Sequence, residues 1–267
     1  MTVRQSLDDS FLGRVLEVAQ ASAGLAGGAL LSHFGDASIR TTAKVGGDLT
    51  SAADIESEVL ITNTIRSAFD SHYVVAEEGG SYGTPSRHSW IVDPLDGTHN
   101  FLRRWDDWAV SIAYSRDTTV EVGVVYAPTI DVMYSAVRGS GAFKNGRRIE
   151  SAATTKLSDS LALCSASTPP WEMKARQILD CLWGSAHNVR MTGCGSRSLC
   201  RIAEGSADIF AEVDGGAWDY AAGSFIAREA GAAVTDYYGL EMTAHSTTVL
   251  ACATSELHSQ LRAAVGT

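Results

Sequence analysis

Trp90-Ile91-Val92-Asp93-Pro94-Leu95-Asp96-Gly97-Thr98-His99-Asn100-Phe101 is the stretch that decides the reading of this chain. An apolar strand runs into two carboxylates three residues apart. Pro94, with its φ fixed, stiffens the backbone between them. Asp93, Asp96 and a backbone carbonyl between them offer hard oxygen ligands of the kind that suit Mg²⁺. Gly97 lets a ligand approach the main chain closely. A helix starting after it would turn free N–H groups toward a phosphate. The same residues equally suit a structural turn capped by aspartates, and the local pattern does not choose between the two.

Working outward, the chain upstream reads as helical. Ser10 is a candidate N-cap for a long helix from Phe11 to about His33, with Leu12, Val15, Leu16, Ala19 and Ala23 at helical spacing and Gly35 to end it. A second helix is expected from Asp54 to Phe69, with Ile55, Val59, Leu60 and Ile65 facing a core. Tyr73 to Ala76 and Trp90 to Val92 are short apolar runs ending in acids. Trp108 to Ser115, Val120 to Tyr126 and Val132 to Val137 read as strands. Asn145-Gly146 marks a hairpin turn between Gly141-Ala142-Phe143 and Arg148-Ile149, so this region reads as an antiparallel meander. Beyond about residue 152 strands alternate with helices. Leu161 to Cys164, Asp208 to Glu212 and Val249 to Cys252 read as strands. Trp171 to Leu182, Ser196 to Glu204, Ala217 to Ala230 and Glu256 to Val265 read as helices, an alternation that suggests an α/β half.

Three further acidic elements flank the central motif: Asp48 to Asp54, Glu77-Glu78 after an apolar run, and Trp218-Asp219 opening a small-residue helix. Each alone has a bland reading, as a helix cap, a surface pair or an N-terminal helix acid. In this order, with Gly193 to Ser198 between the last two, they resemble the inositol monophosphatase family, and the resemblance runs over nearly the whole chain. It implies an α/β (α+β layered) fold, a five-layer αβαβα sandwich. Residues 1–152 would form an α+β half carrying the main metal site, and 153–267 an α/β half supplying Asp219 and the substrate-side wall.

The resemblance also implies the chemistry. Glu77, Asp93 and the Leu95 carbonyl would hold a first Mg²⁺. Asp93, Asp96 and Asp219 would hold a second, and a third, weaker ion would lie near Glu77. Gly97 and Thr98 would present N–H groups to the phosphate, and Thr98 with Asp54 would orient and deprotonate the attacking water. Two cations flanking a phosphate monoester can stabilise the attacking and leaving oxygens of an in-line displacement, with no phosphoenzyme. Gly193, Cys194 and Gly195 would line the pocket, and Glu212 would accept hydrogen bonds from a substrate hydroxyl, the other reading being a solvated strand-end Glu. The substrate class is a cyclitol or sugar monophosphate. Histidinol phosphate, fructose 1,6-bisphosphate and 3′-phosphoadenosine 5′-phosphate are alternatives, as is a partner-binding protein on the same fold. Lithium sensitivity and a homodimer are expected on the same ground.

Departures from the family pattern fall around the motif. Gly195 replaces the more usual Ala and is expected to widen the pocket. Cys194 reads as a lining or packing residue and not a nucleophile. Leu102 to Trp108 lacks the usual Pro and Phe, and Arg197 reads as lying on the solvated side of its helix, with recognition of a second anionic group as the alternative.

The whole-chain numbers are compatible with this. The formal net charge is −10 over 267 residues, a poor match for a nucleic-acid backbone. The five cysteines are scattered and never spaced C-x-x-C, which argues against a disulfide framework or a thiolate zinc site. No P-loop or His-based zinc motif is present. Leu25 to Leu31 is too short to span a bilayer. The expectation is a cytoplasmic protein with no nucleic-acid or membrane partner.

Overall fold

The computed structural model describes residues 3–36, 38–43, 49–165 and 172–266. Asp48 and Trp171 lie outside the described residues. Helix α1 spans Val3–His33, starting earlier than expected. No Gly or Pro interrupts residues 3–10, so Ser10 lies within the helix and does not cap it. Its segment Ser10–His33 is long and apolar enough to cross a membrane by length and composition, which corrects the estimate from Leu25 to Leu31 alone. Here Val15, Ala19, Ala23, Ala26 and Leu30 are buried in a core shared with a sheet.

A short hairpin, β1 (Thr41–Ala43) and β2 (Leu49–Ser51), leads into α2 (Ala52–Ala68). Ser51 caps α2: its hydroxyl accepts from Ala53 N–H, and Asp54 reaches back to Ser51 N–H at 2.8 Å. The buried face of α2 differs from the expectation. Ile65 is buried, but Ile55 and Val59 are about half exposed, and Asp54, Ser57, Glu58 and Thr62 point inward instead. Ser57 donates to the Pro94 carbonyl, Glu58 accepts from the Glu78 N–H and the Tyr82 hydroxyl, Asp54 meets Ser51 and Thr98, and Thr62 bonds back to its own helix. Hydrogen bonds as well as the buried Ala53, Ile61 and Ile65 therefore orient this face.

The first sheet contains β3 (Tyr73–Ala76), β4 (Gly80–Tyr82) and β5 (His88–Asp96). After helix α3 (Thr98–Leu102) it continues through β6 (Ala109–Arg116), β7 (Thr119–Ala127), β8 (Val132–Val137), β9 (Gly141–Lys144) and β10 (Arg147–Ile149). Its order is β10-β9-β8-β7-β6-β5-β3-β4. From β5 to β10 it is the expected antiparallel meander. Asn145 and Gly146 both take positive φ in the last turn, as a tight hairpin of this kind requires. β3 instead runs parallel to β5, with Ala76 beside Val92. Glu77 and Asp93 therefore come side by side toward the C-terminal ends of these neighbouring strands.

The second sheet is built from β11 (Leu161–Cys164), β12 (Asn188–Met191), β13 (Ile209–Glu212), β14 (Ala233–Thr235) and β15 (Val249–Cys252). Its order is β12-β11-β13-β15-β14, parallel at one side and antiparallel at the other. Its helices are α4 (Glu172–Ser185), α5 (Gly195–Ala203), α6 (Ala217–Glu229) and α7 (Ser255–Val265). The short strands β12 and β14 had no readable period of their own.

Three cores separate five layers. One joins α1 and α2 to the first sheet. The central one joins both sheets through α5 and α6, drawing on residues from Ile91 to Ala251. The third joins the second sheet to α4 and α7. The order αβαβα follows, with α5 and α6 in the middle layer.

Candidate active site

β5 carries the central motif to its C-terminal end, and its pairing with β6 shifts between Asp93 and Asp96. This irregularity frees the main chain to turn. Asp93 Oδ1 accepts the Leu95 N–H at 2.9 Å, and Ser57 of α2 donates to the Pro94 carbonyl at 2.8 Å. Gly97 follows with φ of +89°, and a Cβ there would sit 2.9 Å from the Asp107 carbonyl. Only glycine meets both demands.

From the middle layer, the Trp218 carbonyl of α6 accepts the Ser111 hydroxyl of β6 at 3.1 Å, and the Gly216 N–H donates to Asp219 Oδ2 at 2.6 Å. These contacts bring Asp219 to the β5 corner. Asp93, Asp96 and Asp219 each offer a carboxylate oxygen within 4.8 Å of the others. Burial raises all three acids above the ordinary carboxylate range. Glu77 adds to the rise at Asp93 and Asp219 by its charge, although its carboxylate is not part of that close trio. Three desolvated carboxylates facing one another, with hard oxygen atoms, fit a hard divalent cation.

Asp54 and Thr98 also meet. The Thr98 hydroxyl lies 3.0 Å from Asp54 Oδ1 and 3.0 Å from the Leu95 carbonyl, and its one proton serves one of them at a time. Burial pushes Asp54 up to about 6.

A sequence model described as the inositol monophosphatase family matches residues 12–267. The chain belongs to the inositol monophosphatase family. Among its relatives, the Vibrio cholerae protein named Nus factor SuhB is 37% identical over 207 residues, covering 75% of this chain and 76% of the relative. Human inositol monophosphatase 2 is 36% identical over 222 residues, 78% of this chain and 77% of the relative. The crystal structure of the extragenic suppressor protein suhB from Bartonella henselae superposes with a TM-score of 0.90 at 32% identity, covering 94% of this chain and 98% of that one.

Within this family frame the departures acquire partners. Cys194 is buried and its thiol lies 3.0 Å from Asp96 Oδ2. Burial and the Asp96 charge hold that thiol well above its usual range, so it stays protonated and is no nucleophile. Arg197 is neither solvated nor free to read a second anion. It pairs with Asp107 at 2.9 Å and donates to the Asp106 carbonyl at 2.7 Å, and Arg201 joins Asp107 through both carboxylate oxygens at 3.0 Å. The segment lacking the usual Pro and Phe is thus strapped to α5 by charge. Asn100 completes the strap by donating to the carbonyls of Asp107 and Thr192, each at 2.7 Å.

Gly195 does not widen the pocket. A Cβ there would lie 3.1 Å from Glu212 Oε2, so the missing methyl is space that the Glu212 carboxylate fills. Burial, with Asp96 adding negative charge, pushes Glu212 up to about 7. It is therefore not an ordinary solvated glutamate.

Two residues with no role assigned from sequence complete the surroundings. Glu58, buried on α2, accepts N–H groups from Glu78 at 2.8 Å and Gly79 at 2.7 Å and the Tyr82 hydroxyl at 2.6 Å, fixing the turn beside Glu77. Ser196 donates its N–H and hydroxyl to Asp96 Oδ2 at 2.7 and 2.5 Å. A charged or polar residue on an expected apolar helix face was the only available signal for Glu58, and Ser196 gave none.

Proposed function

We propose that this chain hydrolyses a small phosphate monoester, an inositol or sugar monophosphate, with two or three Mg²⁺ ions held by Glu77, Asp93, the Leu95 carbonyl, Asp96 and Asp219. The observation that carries this reading is the convergence of Asp219 on Asp93 and Asp96, more than a hundred residues earlier in sequence, with all three offering oxygens to one point. Bound cations would neutralise the phosphate dianion and acidify the attacking water.

The chain's own residues divide the remaining work. Thr98, when it donates to Asp54, turns its lone pairs outward to hold the water in line. Asp54, held near 6 by burial, is matched to receive a proton close to neutral pH. Gly97 and Thr98 offer main-chain N–H groups to the phosphate. Gly193, Cys194 and Gly195 form a wall beside it, and Glu212 accepts a hydrogen bond from a substrate hydroxyl. The segments 1–152 and 153–267 act as two halves closing one cleft. The chain works as a cytoplasmic homodimer and is lithium-sensitive.

The test is phosphate release with Mg²⁺ from inositol monophosphate, sugar monophosphates, histidinol phosphate, fructose 1,6-bisphosphate and 3′-phosphoadenosine 5′-phosphate. Turnover of an inositol or sugar monophosphate is expected to lead. Activity on histidinol phosphate alone would overturn the substrate class, and no release from any would overturn the enzyme reading. A second reading, a partner-binding regulatory protein on this fold, is favoured by the relatives named Nus factor SuhB. It predicts that an Asp93→Asn variant keeps the protein's cellular role.

A further inference from the structure

The two oxygens of Asp96 have different surroundings. Oδ2 receives the Ser196 N–H at 2.7 Å, the Ser196 hydroxyl at 2.5 Å and the Cys194 thiol at 3.0 Å. Oδ1 receives, among the described residues, a single longer contact from Gly195 N–H at 3.3 Å. Three donors leave Oδ2 little capacity for another partner, so Oδ1 is the oxygen left for a cation. We propose that Ser196 is a positioning residue: by engaging Oδ2 twice, it fixes the Asp96 carboxylate so that Oδ1 faces the cation, and so sets the affinity of the site shared with Asp93 and Asp219.

The support for Ser196 is itself rigid. The residue is fully buried at the start of α5. Gly223 of α6 lets the two helices approach so closely that a Cβ there would lie 3.1 Å from the Ser196 carbonyl. Further along α5, Arg197 and Arg201 anchor the helix to Asp107. Groups that orient a metal ligand from behind commonly change metal affinity by about 10–100-fold when removed. Ser196 differs from its neighbour Ser198 in this respect. Ser198 is buried on the same helix, but its hydroxyl bonds to the Cys194 carbonyl and the Thr192 hydroxyl, each at 2.7 Å, and does not reach Asp96.

The proposal rests on the cation reading above, and the experiment separates the two. Mn²⁺ is titrated into wild type, Ser196→Ala, Ser196→Cys and Ser198→Ala, and free Mn²⁺ is followed by electron paramagnetic resonance, with thermal unfolding of the cation-free proteins as the control for folding. Ser196→Ala should bind Mn²⁺ about 10-fold more weakly and need correspondingly more Mg²⁺ for half-maximal phosphate release, with kcat retained at saturating Mg²⁺. Ser196→Cys, of similar size but a weaker donor, should fall between, and it carries the comparison if the alanine variant fails to fold. Ser198→Ala should bind as wild type does. Unchanged Mn²⁺ affinity in Ser196→Ala, or an equal loss in Ser198→Ala, would overturn the positioning role. Wild-type protein that takes up no Mn²⁺ would overturn the cation reading and the proposal with it.

Discussion

Replacing Asp93 with asparagine should abolish phosphate release and, at the same time, make the cation-free protein harder to unfold. Asp93, Asp96 and Asp219 present oxygens within 4.8 Å of one another. At that separation two charges repel by about 3 kcal/mol at an effective dielectric of about 20. Asp93 takes part in two such pairs. The trio relieves part of the repulsion by holding protons, which is the sense of the raised pKa at each member. About one pair's worth, ~3 kcal/mol, is then the gain expected on neutralising Asp93 at pH 8. The asparagine carbonyl can still accept the Leu95 N–H that Asp93 Oδ1 accepts at 2.9 Å, so the turn survives. For a chain of this size the gain corresponds to a Tm rise of about 5 °C. The assay is calorimetric unfolding in chelator and in excess Mg²⁺. Wild type should be raised strongly by Mg²⁺ and the variant hardly at all. A cation-free variant that melts at or below wild type, or one that Mg²⁺ stabilises as much as wild type, would refute the reasoning.

The same acids give the pH dependence its sign. Asp54 rises from 3.8 to about 6 on folding, so between those values the folded state binds more protons than the unfolded one. The cation-free protein should therefore gain up to about 3 kcal/mol from this group as pH falls from about 7 to about 4, read by denaturant unfolding in chelator. Thr98→Ala removes the hydroxyl joined to Asp54 and should lower kcat by about 100-fold or more with Mn²⁺ affinity unchanged, measured by phosphate release beside a binding titration. Gly97→Ala forces a left-handed φ on a residue whose Cβ would meet the Asp107 carbonyl at 2.9 Å, and should cost about 2–3 kcal/mol in denaturant unfolding. Gly195→Ala should push the Glu212 carboxylate aside, raising KM for a polyol phosphate while leaving Mg²⁺ affinity intact, which steady-state kinetics resolves.

Much of this architecture was readable from the residues. The β-branched runs around the motif became β6, β7 and β8 within a residue or two, because a sheet covered on both faces selects near-continuous runs of β-branched and apolar residues. The Asp93 to Thr98 corner was readable because its spacing is local. What stayed hidden depends on approach from afar. Ser196 matters through Asp96, a hundred residues earlier, and Asn100 through Thr192. α2 differs for a related reason: Ile55 and Val59 look like core residues, but the inward face is given to Asp54, Ser57 and Glu58, whose partners lie at the start of α3, on β5 and on the turn after β3. Arg197 sits at a position that reads as solvated in sequence, because its partner Asp107 lies ninety residues away.

The middle layer has a consequence for how such a chain can change over time. A Cβ on Gly123 of β7 would lie 2.9 Å from the Ala222 carbonyl of α6, and one on Gly223 of α6 would lie 2.8 Å from the Leu199 Cβ of α5. Sheet, α6 and α5 are thus stacked at nearly their closest approach, and that spacing is what sets Asp219 opposite Asp93. These glycines act as a ruler for a site they never touch. A single added methyl at either one would lengthen the ruler by more than the few tenths of an ångström that ligand distances tolerate. Drift should therefore be slow at positions 123 and 223, while the exposed faces of α1 and α4 remain free to vary.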